Sequence, residues 1–218
     1  MALYLYKLHL NLADRGVRRD LGNAYEMHRS LSRAFVDQDQ TTVHSFLWRM
    51  EVTPADATPT LLIQSAKEAQ WGALAPGWLL EWQERSWDPE AAFRPGLRVV
   101  FRLRANPTVT RVPNELKQEG QSARGRRKRL GLWSEEDQLQ WLQRQAQRVG
   151  LATVEAAVSQ SDRLRCRKRG ATITMASAQF DGRAVIADPG ALVAAVCNGI
   201  GHGRMLGHGL LSLAPLRT

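Results

Sequence analysis

The stretch that decides the fold is residues 198–214, which read NGIGHGRMLGHGLLSLA. Five glycines fall within the eleven positions 199–209, and an apolar, strand-like segment follows them directly. Glycine is costly to order, so such a cluster is expected where the backbone turns tightly or approaches a ligand closely. Glycine-rich loops also expose peptide N–H groups that bind anions such as phosphate. From these residues alone, an elaborate helix stop and a phosphate-binding loop are about equally compatible.

The residues before the loop exclude one class of phosphate site. Asp188 to Asn198 (DPGALVAAVCN) has the pattern of a short helix with Pro189 near its start. The common nucleotide-binding loops follow a strand and open a helix. Here the order is helix, loop, strand, and no Gly-Lys-Ser/Thr is present. The segment is therefore not an ATP site.

The charge of the chain is unevenly divided. The 218 residues carry a formal net charge of +9. Residues 1–92 hold nine lysines and arginines against twelve acidic residues, whereas residues 93–218 hold twenty-one against nine. A strongly basic half favours a polyanionic partner. Solubility alone would require neither this asymmetry nor the clustering of the basic residues.

The first half has the element order of a ferredoxin-like fold. Residues 3–12 alternate like a strand, and Asn23 is placed to cap a helix that reaches about Val36, with Glu26 completing a capping box. Two strands are predicted at 43–52 and 60–64. A short helical piece around Trp71 and an apolar stretch at 78–82 complete the unit.

The second half permits the same order after a turn-rich boundary at residues 87–96. The predicted elements are a strand at 97–105, a helix at 133–149, strands at 163–168 and 171–186, the helix at 188–198, and a last strand at 210–214. Asp181-Gly182 is interpreted as a hairpin turn inside the long strand pattern. No close sequence repeat joins the two halves.

Four segments in this order carry a family resemblance. They are residues 23–31 (NAYEMHRSL), residues 101–107 (FRLRANP), the Asp188-Pro189 helix start, and the glycine-rich loop followed by LLSLAP at 210–215. Together they resemble the CasE family of the CRISPR repeat-associated RNA-binding superfamily. That family consists of endoribonucleases that cut precursor CRISPR RNA and belong to the Cascade complex.

The resemblance implies the fold class and the domains. We expect an α+β protein with tandem ferredoxin-like (RRM-like) domains and a C-terminal glycine-rich loop. Residues 1–92 would form the domain with the catalytic helix, and residues 93–218 the basic RNA-binding domain.

The first helix carries the candidate catalytic residues. Tyr25, His28 and Ser32 share one stripe beside the core face, and Arg29 and Arg33 lie on the next stripe. Metal-free RNA cleavage needs a group that takes the 2′-hydroxyl proton, another that protonates the departing 5′-oxygen, and cations that stabilise the phosphorane. The resemblance carries Tyr25 and His28 over as catalytic and leaves their acid and base roles open. Without it, a packing role for His28 would be the commoner interpretation.

An arginine ribbon is the main candidate for RNA contact. If residues 163–168 form a strand, Arg163, Arg165 and Arg167 face one way, and Leu164 and Cys166 face the other. Three guanidiniums in a row can reach along phosphates or read guanine edges. The alternative is a charged edge strand that prevents aggregation, a device that usually relies on lysine.

Further RNA contacts are predicted in four other places. Residues 117–129 (KQEGQSARGRRKR) have almost nothing apolar, so we expect a loop that is disordered when free and closes on phosphates. The remaining candidates are on the first helix, the central strand and the glycine-rich loop. The full set beyond the ribbon is Arg29, Arg33, Arg102, Arg104, Arg126, Arg127, Lys128, Arg129, Gly201, His202, Gly203 and Arg204.

The sequence also sets expectations for cofactors, partners and location. No spacing of ligand residues suggests a metal site, and no small-molecule cofactor is expected. Cys166 and Cys197 lie far apart, which favours free thiols in a reducing cytoplasm. The first residues predict neither a signal peptide nor a membrane span. The resemblance implies CRISPR repeat RNA and other Cascade subunits as partners, and cleavage that leaves a 2′,3′-cyclic phosphate and a 5′-hydroxyl.

Two alternatives remain open. The chain could be a non-catalytic hairpin-RNA-binding protein with the same fold and charge. It could also be a basic DNA-binding or ribosome-associated protein without hairpin selectivity.

Overall fold

A four-stranded antiparallel sheet organises the first half of the computed structural model, which describes residues 2–37, 43–52, 58–111, 128–168 and 170–216. Its strands, in the spatial order β2-β3-β1-β4, follow the ferredoxin-like order. They are β1 (Leu3–Leu10), β2 (Phe46–Val52), β3 (Pro59–Ser65) and β4 (Leu79–Trp87). The helices are α1 (Arg15–Leu21) and α2 (Ala24–Ser32), which continues into a 3₁₀ turn at Arg33–Phe35. A 3₁₀ turn at Trp71–Ala73 takes the place of the second helix, as predicted.

The second half repeats this architecture. Its sheet has the order β10-β5-β9-β8, which is again the ferredoxin-like order. The elements of this half are α3 (Pro89–Ala92), β5 (Arg98–Ala105), α4 (Glu135–Arg148), β8 (Leu151–Lys168), β9 (Ala171–Ile186), α5 (Pro189–Asn198) and β10 (Leu211–Pro215). A separate hairpin of β6 (Thr108–Arg111) and β7 (Lys128–Gly131) is inserted between β5 and α4. The predicted tandem ferredoxin-like fold is confirmed.

Local signals explain where the helices begin. The side chain of Ser134 accepts a hydrogen bond from the Asp137 N–H at the start of α4, and Asp188 caps α5 in the same way. Asn23 caps α2 as predicted, by accepting from the Tyr25 N–H. The predicted capping box is incomplete. Glu26 forms an ion pair with Arg29 at 2.5 Å, and the Asn23 N–H donates to the carbonyl of Asp20 instead.

The predicted turn at Asp181-Gly182 is wrong. Strand β9 runs unbroken through both residues, and the chain reverses near Gly170, whose φ is +81°. Gly182 is required for a different reason, because a Cβ there would lie 2.4 Å from the Glu155 carbonyl oxygen and 2.9 Å from the Phe101 ring. Asp181-Gly182 therefore lies where neighbouring strands leave no room for a side chain at the glycine. The register between β8 and β9 shifts on both sides of this point.

Each half has its own hydrophobic core. The first packs Tyr6, Met27, Leu31 and Phe35 against the 3₁₀ turn at Trp71. The second packs the inner faces of β5 and β9 against α4 and α5. Met27 and Leu31 are almost fully buried, so this core fixes the rotation of α2. The neighbouring stripe of α2, which carries Tyr25 and His28, is only partly buried.

A buried arginine joins the two halves. Arg49 on β2 is 1% exposed, and its guanidinium donates to the Leu210 carbonyl at 3.0 Å and the Arg102 carbonyl at 3.2 Å. It also donates to the Ser212 hydroxyl at 2.9 Å and to Glu51 at 2.7 Å. The first sheet is therefore tied to the pair β5 and β10 of the second. Sequence analysis did not single out Arg49.

No helix in the described ranges is both long enough and apolar enough to cross a membrane.

Candidate functional site

Helix α2 meets the end of strand β8 at the junction of the two halves. The Asn23 side-chain amide donates to the Arg167 carbonyl at 3.0 Å, which ties the start of the helix to the ribbon. The Lys168 ammonium lies 5.2 Å from the centroid of the Tyr25 ring, a distance typical of a cation–π contact. Sequence analysis missed Lys168, because no local signal shows that residues 25 and 168 meet.

Tyr25 lines a cavity of about 460 Å³ at this junction. Lys168 and Ile173 from the β8–β9 ribbon form one side, and residues 201–206 of the glycine-rich loop form the other. Four of the predicted RNA contacts, Gly201 to Arg204, are therefore placed beside the phenol. The cavity brings together a proton donor, a cation and exposed loop backbone.

His28 lies one turn further along α2. Its ring stacks on Phe46, with centroids 4.9 Å apart and an angle of 20° between the planes. The Nδ1 atom is buried and has no hydrogen-bond partner among the described residues. Burial lowers the pKa of His28 below its usual value, so the imidazole is neutral at pH 7. Ser32, on the same stripe, donates a hydrogen bond from its hydroxyl to the His28 carbonyl at 2.7 Å, so this hydroxyl is bonded to the backbone of its own helix.

The glycines of the loop are explained by backbone conformation and by contacts within the protein. Gly199, Gly201, Gly203, Gly207 and Gly209 all have φ between +76° and +90°, the left-handed region that favours glycine. A Cβ at Gly207 would lie 3.0 Å from the Trp48 ring, and one at Gly203 would lie 2.6 Å from Met175. The loop is thus pressed against β2 and β9, which holds its 201–206 face towards Tyr25.

A buried hydrogen-bond chain supports the loop from behind. Arg104 Nε donates to the Ser177 hydroxyl at 3.0 Å, and that hydroxyl lies 2.9 Å from His208 Nε2. His208 Nδ1 lies 2.9 Å from the Leu206 carbonyl. Because the Leu206 carbonyl can only accept, the proton of the neutral imidazole sits on Nδ1, and Nε2 accepts the proton of the Ser177 hydroxyl. Burial, followed by the charge of Arg104, lowers the pKa of His208 to about 4.

The two arginines of the central strand, which remain predicted RNA contacts, already have partners within the protein. Arg102 pairs with Asp181 at 2.5 Å and with Glu51 at 3.0 Å. The side chain of Arg104 is 15% exposed and is held by Ser177. Alternation along the strand correctly separated them from Phe101 and Leu103, but it could not show that acceptors of the same chain already face them. Their observed role is to connect β5 with β2 and β9.

The arginine ribbon has the predicted facing. Arg163, Arg165 and Arg167 are exposed, whereas Leu164 is half-buried and Cys166 is buried. Their strand, β8, is the outer strand of the sheet in the described part of the chain, so the edge-strand alternative also fits the topology. The guanidinium carbon of Arg163 lies 4.7 Å from the centroid of the Trp133 ring, a distance typical of a cation–π contact.

Comparison with known proteins identifies the family. The sequence profile described as CRISPR associated protein matches residues 3–215. The chain belongs to this family. It is 33% identical to the CRISPR-associated endoribonuclease Cse3 of Thermus thermophilus, over 98% of this chain and 100% of that protein. It is 31% identical to the Cascade subunit CasE of Escherichia coli K12, with the same coverage. The resemblance to CasE is confirmed.

Solved structures of family members share the fold over the whole chain. The structure of Thermus thermophilus Cse3 bound to an RNA representing a pre-cleavage complex has a TM-score of 0.84 at 32% identity, covering 99% of this chain and 100% of that one. A protein in a CRISPR RNA-guided surveillance complex has a TM-score of 0.70 at 29% identity, covering 98% and 100%. These likenesses fit the two ferredoxin-like halves described above.

The remaining predicted residues of this family member fall in three places. Arg29 is ion-paired with Glu26, and Arg33 is exposed at the end of α2. Arg126 and Arg127 lie outside the described residues. The expected basic loop was wrong for its last two members, because Lys128 and Arg129 are exposed on strand β7 and pair with β6. Among the described residues, no three His, Cys, Asp or Glu side chains lie close enough together to hold a metal ion.

Proposed function

We propose that this chain is an endoribonuclease that binds and cuts CRISPR repeat RNA and remains with the product in a Cascade complex. The names of its relatives and their RNA-bound structures support this function. One observation of this chain carries the proposal: Lys168, at the end of the arginine ribbon, lies against Tyr25 of the helix that also bears His28. RNA that is bound along the arginine ribbon would thereby reach Tyr25 and His28, the candidate acid and base.

The cleavage step follows from the states of these groups. The neutral imidazole of His28 takes the proton of the 2′-hydroxyl as that oxygen attacks the adjacent phosphorus. Because Nδ1 is buried, Nε2 is the nitrogen that meets the RNA. The bond from phosphorus to the 5′-oxygen breaks, and the Tyr25 phenol donates a proton to the leaving oxygen. The products are a 2′,3′-cyclic phosphate and a 5′-hydroxyl, and no metal takes part.

Lys168 would stabilise the charge that builds on the phosphorane. Its ammonium shares the cavity with Tyr25 and the loop backbone of residues 201–206. A fixed cation at this point acts where negative charge develops, which is the most effective place for electrostatic stabilisation. Replacing Lys168 with Ala should slow cleavage, and Lys168→Arg should restore part of the rate.

Single-turnover cleavage of the repeat RNA tests the catalytic pair. His28→Ala should lose roughly 10²–10⁴-fold in rate, the usual contribution of a positioned acid or base. Hairpin RNA should still bind, since this substitution leaves all the arginines of the ribbon in place. Tyr25→Phe should be slowed as well, because it lacks the hydroxyl that protonates the leaving oxygen. Normal cleavage by His28→Ala would refute the assignment and favour the non-catalytic alternative.

The salt dependence of binding tests the ribbon. The triple variant Arg163→Ala/Arg165→Ala/Arg167→Ala should bind hairpin RNA more weakly. The slope of its log binding constant against log salt concentration should flatten by about 0.7–0.9 for each phosphate that the variant no longer binds. Superimposed curves for the variant and the wild type would show that the strand is only a protected edge. Equal affinity for duplex DNA would favour a general nucleic-acid-binding protein.

The ribbon test needs a control with the same charge. Arg15, Arg85 and Arg94 are exposed and lie outside the ribbon and the Tyr25 cavity. Their joint replacement by Ala, called the charge control below, removes the same three positive charges. It should leave the affinity for hairpin RNA close to that of the wild type.

A further inference from the structure

A second basic groove adjoins the candidate site on the far side of the glycine-rich loop. It has a volume of about 560 Å³ and lies between the β6–β7 hairpin and helix α4. Gly201 and His202 close one end of it. Arg111, Arg144 and Arg148 line its walls. We call this space the α4 groove. None of these three arginines was predicted to contact RNA.

Among the residues that the structure describes, the arginines of the α4 groove have no acidic partner within ion-pair distance. Within the described ranges, none of the three forms an ion pair, whereas Arg49 and Arg102 are both paired with acidic residues. Arg144 and Arg148 are one helical turn apart, and like charges at that spacing destabilise a helix. Uncompensated cations that gather in a concave space favour an anionic occupant.

One acidic side chain also lines the groove. Asp137 is at the start of α4, and its carboxylate accepts the Ser134 hydroxyl at 2.7 Å as part of the helix cap. This carboxylate is therefore already hydrogen-bonded within the first turn of the helix. The described lining keeps an excess of positive charge.

His202 connects the α4 groove to the Tyr25 cavity, because it lines both. Burial lowers the pKa of His202, and the nearby charges of Arg129 and Arg204 lower it further. The exposed imidazole is thus neutral at pH 7. A neutral ring can stack on a nucleobase without repelling the surrounding arginines. Loop residues 201–204 thus lie on a continuous basic path from Tyr25 past His202 to α4.

We propose that the α4 groove binds the single-stranded RNA that continues from the scissile phosphate on the side away from the hairpin. This inference rests on the proposed function, which places the hairpin on the β8–β9 ribbon and the scissile phosphate at Tyr25. The strand that leaves the site then passes His202 and enters the groove. The volume fits a small number of nucleotides, since ligand sites commonly span about 300–1,000 Å³. Arginine contacts to phosphates position the strand without reading its sequence.

Two RNAs test the proposal when binding is measured against salt. Both carry a 2′-deoxy nucleotide at the scissile position to prevent cleavage. One is the hairpin with a single-stranded tail beyond the scissile phosphate, and the other ends at that phosphate. The groove variant is Arg111→Ala/Arg144→Ala/Arg148→Ala, and circular dichroism and thermal unfolding establish that it is folded.

The wild type should bind the tailed RNA more tightly than the tail-less RNA. The groove variant should lose that advantage. The slope of its log binding constant against log salt concentration for the tailed RNA should flatten by about 2, because each single-strand phosphate contact contributes about 0.7 and three arginines are removed. Its affinity for the tail-less RNA should be unchanged, and the charge control should behave like the wild type with both RNAs.

Three results would overturn the inference. They are a wild type that does not distinguish the two RNAs, a groove variant that keeps the advantage of the tail, and a groove variant that loses both RNAs equally. The last result would place the hairpin itself on α4. If the wild type binds neither RNA, the proposed function fails as well, so the two failures are distinguishable.

Discussion

His208 should make the stability of this protein fall steeply in mild acid. The side chain is 1% exposed and sits in the chain of hydrogen bonds from Arg104 through Ser177 to the Leu206 carbonyl. Protonation of Nε2 would set an N–H against the serine hydroxyl proton and a positive charge beside Arg104. The folded protein therefore resists protonation, and the pKa of His208 falls to about 4.

The size of the effect follows from linkage. An unfolded histidine has a pKa near 6.5, and each unit of difference is worth about 1.4 kcal/mol, so the full contribution is about 3 kcal/mol. Because the folded pKa lies below the unfolded one, this contribution is complete above the unfolded pKa. It is lost as the pH falls from about 6.5 towards 4.

Urea unfolding at pH 7 and at pH 4.5 measures this loss. The variant His208→Asn cannot titrate, and its amide can still donate to the Leu206 carbonyl. The wild type should lose about 2–3 kcal/mol more of its unfolding free energy between the two pH values than this variant does. Titration of the carboxylates is common to both proteins and cancels in the comparison. An equal loss in both would refute the proton assignment and the buried neutral state.

Three further predictions address the loop, the interface and the base. Gly207→Val should lower the unfolding free energy by about 1–3 kcal/mol in urea, because φ is +78° and a Cβ would meet the Trp48 ring at 3.0 Å. An unchanged midpoint would contradict it. Arg49→Met should cost about 3 kcal/mol in the same assay, since it leaves buried acceptors of both halves unpaired; a neutral effect would count against that interface. In a pH–rate profile, the acid limb of kcat/KM should have its midpoint below 6.5, because burial lowers the pKa of His28. A midpoint at or above 6.5 would argue against His28 as the base.

Local signals made much of the fold predictable. The order of strands and helices, the Asn23 cap and the 3₁₀ turn at Trp71 all follow from patterns that span fewer than ten residues. The exposure of the ribbon arginines followed from the alternation of side chains along a strand. The error at Asp181-Gly182 has the same origin, because a short-range turn signal could not reveal that Glu155 and Phe101 crowd the glycine.

Contacts between distant residues escaped sequence analysis. Lys168 against Tyr25 and Arg49 against Leu210 each join positions more than 100 residues apart. The same limit applies to Arg102, whose exposed face was predicted but whose partners, Glu51 and Asp181, come from other strands. An RNA phosphate that binds Arg102 would compete with these two carboxylates.

The glycine-rich loop was compatible with two interpretations on sequence alone. The structure explains the glycines by left-handed backbone and by close packing on Trp48 and Met175. These contacts belong to the protein itself. They also present residues 201–206 to the Tyr25 cavity, which is where we propose that the scissile phosphate lies.

The most direct test of the central claim is one cleavage reaction analysed for its product ends. The purified protein is mixed with its own repeat RNA in excess EDTA, and the fragments are identified by mass spectrometry. A parallel RNA carries a single 2′-deoxy nucleotide immediately upstream of the cut. We expect full cleavage in EDTA, a 2′,3′-cyclic phosphate on the upstream fragment, a 5′-hydroxyl on the downstream fragment, and no cleavage of the deoxy RNA. Loss of activity in EDTA, or cleavage of the deoxy RNA, would contradict it.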